Sequence, residues 1–188
     1  MRKIMIGQIL LILCCVFYLI WWYRGFRPGT DVSRIGGLNG VLLLITAALG
    51  ITGVVFCLLP VQELSKPKLN PMMIIICGIA AYVVLLLITR FGFRRVVTTE
   101  LFLIVGWTVL EMTLINKLSA GGALSETGFL VMCIVIAAAF IVSIILYVAY
   151  YRMEEMKAFY AAMVPLITEA SAMAVLVGML ACKFSAVM

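Results

Sequence analysis

The chain has 188 residues, of which 66% are hydrophobic and only 12% charged, with a mean hydropathy of +1.26. Soluble domains are nearer half apolar and a quarter charged, so this composition describes a membrane protein with very little outside the lipid. The net charge of +6 falls in short stretches beside apolar runs, where basic residues set topology and meet anionic headgroups, so nucleic acid is not an expected partner.

Hydropathy divides the chain into six apolar segments, each close to the ~20 residues a helix needs to cross the hydrocarbon. The first covers residues 4–23. Arg2 and Lys3 precede it, no small-x-small cleavage site follows it, and it closes on the aromatic group Tyr18, Trp21, Trp22 and Tyr23. Leu13 stands before Cys14 where a lipobox has a small residue. These features predict a retained first helix with an aromatic belt. The segment 24–36 holds the turn signal Pro28-Gly29. The second span, 37–60, carries Gly40, Gly50 and Gly53 behind Gly36, a pattern suited to close helix packing. Pro71 opens the third span, 71–89, at a first helical position. The fourth covers 99–116, and Ser125 is a predicted cap for the fifth, 128–151. The sixth covers 158–182. No linker divides the chain, so residues 1–188 are expected to form a single all-α transmembrane domain, a compact six-helix bundle.

The first, third and fifth spans each end in an arginine after an apolar or aromatic stretch: Arg24, Arg90 and Arg152. This spacing is compatible with three helical hairpins repeated in one orientation, and equally with arginine simply marking the interface. An even number of spans puts both termini on one side. That side carries Arg2, Lys3, Lys66, Lys68, Lys117 and Lys183, six basic residues against eight on the other. The positive-inside rule therefore leans towards termini outside, in a cell membrane.

Two carboxylates fall within spans, Glu111 in the fourth and Glu169 in the sixth. A charge at membrane depth costs about 2.5–3.5 kcal/mol on insertion scales, so such residues usually face protein or a water-filled cavity. Each lies eleven residues into its expected span, counting from Glu100 and Ala158, which predicts equal depth, ~16 Å in, on parallel helices. Trp107 is one turn before Glu111, with Thr108 beside it; Pro165 is one turn before Glu169 and predicts a kink, with Tyr160 nearer the entrance. Acids, an indole face, hydroxyls and a carbonyl freed by proline suit a cationic ligand or a proton relay. The alternative is that each acid is protonated and hydrogen-bonded as interhelical glue. Gln8, Asn39, Thr46, Thr52, Thr113 and Asn116 are weaker candidates for a cavity lining, because interhelical bonding explains them as well.

There is no histidine, and the six cysteines lie within apolar runs without a C-x-x-C pair. No zinc, haem or other cofactor is expected, and no nucleophile elbow or phosphate-binding glycine loop points to an enzyme. The expected function is binding or transport of a small cationic or proton-coupled solute. The alternative class is an accessory or assembly subunit, pairing with itself or with a partner membrane subunit, or a lipid-binding protein. In gross plan, six helices in under 200 residues with short connections, the chain is similar to the substrate-binding S-components of energy-coupling-factor vitamin transporters, a likeness of architecture alone.

Overall fold

The structure, a computed structural model, describes residues 2–29, 37–60, 69–94, 99–150 and 152–185. Gly36, Lys66 and Lys68 lie outside these residues. The described elements are α1 (Arg2–Phe26), α2 (Gly37–Leu58), α3 (Pro71–Leu87) continued by a π-helical turn (Ile88–Gly92), α4 (Thr99–Ala120), α5 (Glu126–Tyr150), α6 (Glu155–Ala161) and α7 (Val164–Ser185). Among the described residues six helices are long and apolar enough to cross a membrane, α6 and α7 together making the sixth. The chain is an all-α, six-span bundle and an integral, multi-pass membrane protein.

The helix ends follow from local chemistry. Asn70 accepts from the Met72 amide at 3.0 Å and Pro71 takes the first turn of α3, where a missing N–H costs nothing. Ser125 Oγ accepts from the Gly128 amide at 3.0 Å at the start of α5. Between them α4 ends in a Schellman turn: the Ala123 amide donates to Leu118 at 2.8 Å, the Gly122 amide to Ser119 at 3.0 Å, and Gly122 takes φ +70°. Ala123 and Leu124 then bury their side chains, and Lys183 at the end of α7 donates to the Gly122 carbonyl.

The sixth span departs from the continuous helix expected over 158–182. Pro165 has no amide hydrogen for the Ala161 carbonyl, and the helix stops there, turns over Ala162 and Met163, and restarts at Val164.

Consecutive helices pair, α1 with α2, α3 with α4 and α5 with α7, while α4 also packs on α5 and α1 on α7. The α1–α2 seam is set by small residues. A Cβ at Gly7 would stand 2.9 Å from both the Cys57 nitrogen and the Gly53 oxygen, and one at Gly53 would stand 2.8 Å from Leu11 Cγ. Cys14 Sγ reaches the Thr46 carbonyl at 3.3 Å and would lie 3.2 Å from a Cβ on Gly50. In lipid, where apolar burial drives nothing, such close backbone approach is what holds helices together. Gly40, by contrast, faces open space.

The larger core joins Ile4 of α1, Cys57 of α2, Leu114, Ile115 and Leu118 of α4, Met132 and Ile136 of α5, and Leu176 and Leu180 of α7. A smaller one gathers Leu101, Ile104, Val105 and Tyr147.

Candidate functional site

Glu111 projects from α4 into the larger core and is 1% exposed. Its Oε1 accepts a 2.7 Å hydrogen bond from Gln8 Nε2 on α1, and the same nitrogen lies 3.7 Å from Cys57 Sγ on α2. Gln8 is completely buried, directly beside Gly7, whose missing side chain lets α2 approach. Three helices thus converge on one polar knot.

Glu169 is 6% exposed on the inward face of α7. It lies close enough to Glu111 to interact electrostatically, and close enough to Cys15 of α1 to do the same. Glu169 is just over one turn into α7, which starts at Val164 rather than at the expected Ala158.

Three acceptor oxygens here are buried with no donor among the described residues: Gln8 Oε1, Glu111 Oε2 and Glu169 Oε1. Buried acceptors are nearly always paired, so a group of them calls for a proton, a water or a donor-only guest.

The other expected site residues are distributed unevenly. Trp107 is half-buried and packs against the larger core, one turn from Glu111, with its indole N–H buried and unpartnered. Thr108 donates to its own helix at Ile104, 2.9 Å away, so its hydroxyl proton is already committed. Thr168 and Ser171 likewise bond back to Pro165 and Ile167. Tyr160 is 49% exposed on α6 and stands edge-on to Phe159. Pro165 contributes the break, and its carbonyl accepts from Thr168.

Several weaker candidates resolve as structure. Asn116 clamps the Leu69 backbone, donating to its carbonyl at 2.8 Å and accepting from its amide at 2.9 Å. Thr46 and Thr113 bond their own helices. Gln8 is the residue that sequence reasoning undervalued. Its signal was present, an amide in the middle of an otherwise apolar turn next to a glycine, but nothing local told which helix it would face. Ser143 of α5, completely buried with an unpartnered hydroxyl, carried no signal at all.

Among the described residues no three histidine, cysteine, aspartate or glutamate side chains gather to hold a metal ion. No protein-family model matches the chain, and no curated protein or solved structure matches it either.

Proposed function

We propose that the protein binds or moves a small cationic or proton-coupled solute across a cell membrane, with Glu111 and Glu169 as its proton-exchanging groups. The observation that carries this reading is the group of three buried, donor-less acceptors, Gln8 Oε1, Glu111 Oε2 and Glu169 Oε1. Such a set favours a guest that brings protons or positive charge and disfavours an anion. At 1% and 6% exposure the acids are enclosed by packed side chains, so a guest reaches them only when those side chains or helices move. Gln8 suits a carboxyl that changes protonation state. Its N–H₂ donates to the ionised acid, and a half-turn of the amide presents its oxygen to the protonated one.

The test is proton flux into liposomes carrying the full-length protein and a trapped pH dye, driven by an imposed potential. Glu111→Gln and Glu169→Gln keep shape and hydrogen bonding while removing the exchangeable proton. Flux is expected to fall at least tenfold in each, with the thermal unfolding midpoint within a few degrees of the parent. If both variants conduct like the parent at every pH, the acids are interhelical glue and the reading is wrong.

A second reading rests on α3, which has no buried residue along Pro71–Leu87 and packs chiefly on α4. A helix so exposed suits a partner subunit or a second copy. Cross-linking from Cys77, exposed on this helix, to a second chain in native membranes would favour it.

A further inference from the structure

Hydroxyls inside the spans are mostly committed to their own helix. Thr46, Thr108, Thr113, Thr168 and Ser171 each donate to a carbonyl three or four residues back, the ordinary way to satisfy such a group in lipid. Ser143 of α5 does not. It is completely buried and its Oγ has no partner among the described residues. The other buried hydroxyl of this kind, Ser119, belongs to the turn that closes α4.

The packing of α5 sets Ser143 among the acids. One stripe of this helix turns inward: Met132, Ile136, Ala139, Ser143 and Tyr147. Ile136 belongs to the larger core with Leu114 of α4 and Leu176 of α7, and Tyr147 to the smaller one with Val105 of α4. Ser143 lies between these landmarks, and the stretch of α4 between them, Val105 to Leu114, is the one that carries Trp107 and Glu111. The fifth and sixth spans run antiparallel. Ser143 stands seven residues beyond Ile136 and Glu169 seven before Leu176, so two turns carry both from the larger core to about the same level. The buried atoms without partners here are of both kinds. Ser143 O–H and the Trp107 indole N–H are donors, while Gln8 Oε1, Glu111 Oε2 and Glu169 Oε1 accept, and these two carboxyl oxygens do not bond each other. A bare metal cation answers the acceptors but not the indole; water, which donates and accepts, answers both.

We infer that Glu111 and Glu169 exchange a proton through water and the Ser143 hydroxyl, so that the solute this protein moves is the proton itself. This rests on the reading of the two acids as proton-exchanging groups. Protonated Glu111 gives its proton to a water, that water releases one of its own to Ser143 Oγ, and the original hydroxyl proton of Ser143 passes to Glu169 Oε1. Water and serine end with the protons they began with. Glu111 is left ionised and Glu169 neutral, and the reverse sequence resets the pair. Trp107 is a positioning residue: its N–H donates to the water oxygen one turn from Glu111 and takes up no proton.

The test is proton flux into liposomes carrying the full-length protein and a trapped pH dye, driven by an imposed potential in sodium-free medium, with infrared spectra of the same samples. Ser143→Ala removes an unpartnered hydroxyl and little packing, so the thermal midpoint should stay level or rise while flux falls roughly tenfold or more. Ser143→Thr returns a hydroxyl and should return most of the flux. Ser171→Ala, whose hydroxyl bonds its own helix, should conduct like the parent. The carbonyl stretch of protonated Glu169, identified by its loss in Glu169→Gln, should shift in Ser143→Ala and return in Ser143→Thr, a change that a purely structural serine would not produce. Parental flux in Ser143→Ala, an equal loss in Ser143→Thr or Ser171→Ala, or a parental flux that stops without sodium would each overturn the inference. If Ser143→Ala conducts like the parent while Glu111→Gln and Glu169→Gln do not, the acids keep their role and only the route through Ser143 fails.

Discussion

α3 and α4 are neighbours in sequence and pack against each other, yet nine residues of α4 are buried and none of α3 is. α3 is the more apolar of the two, a nearly unbroken run of Met, Ile, Val and Leu, whereas α4 carries Glu100, Thr108, Glu111, Thr113, Asn116 and Lys117. In a soluble protein the order would be reversed. Here the apolar solvent is outside, so the helix that spends its length against lipid is the greasy one, and the helix that must satisfy polar groups goes to the middle. Gly78 of α3 rests against Val109 of α4, and that narrow strip is where the two regimes meet.

This contrast can be broken most forcefully on α4. Ile115 is completely buried in the larger core, and Ile115→Ala removes packing that the surroundings only partly recover, a loss of about 2–3 kcal/mol. It should appear as a lower midpoint in thermal unfolding in detergent. Asn116→Ala is expected to cost less, about 1–2 kcal/mol by the same measurement, because it leaves the Leu69 amide and carbonyl without their side-chain partners. Ile76→Ala on α3 exchanges one lipid-facing apolar group, 59% exposed, for a smaller one. It should change stability by less than about 0.5 kcal/mol. A large loss there would mean that α3 is covered by another chain in the purified protein, sharpening the case for a partner.

What could be read from the sequence follows the same division. Span number and most boundaries are legible because they depend on composition over about twenty residues, and Pro71 and Ser125 mark helix starts by chemistry that acts within three residues. The carboxyls Glu111 and Glu169 stood out as expensive groups that need protein around them, and both are buried. Their partners were not legible. Which residue faces Glu111 depends on the rotation of α1 about its axis, and that rotation is fixed by how Gly7 meets Gly53 and Cys57. The break in the sixth span was not legible either, because hydropathy does not register the turn at Ala162 and Met163, both of which are as apolar as the helices beside them. Proline announced a distortion; it did not say whether the helix would bend or stop.

The hydrogen bond between Gln8 and Glu111 spans 103 residues of chain, and that separation constrains how the protein is made. Gln8 lies on α1, which is synthesised well before α4. Until then its amide depends on what the first hairpin offers, and the thiol of Cys57 at 3.7 Å is the group within reach. The glycine seam that brings Cys57 there is built from α1 and α2 alone, the two helices made before the acid that completes the knot.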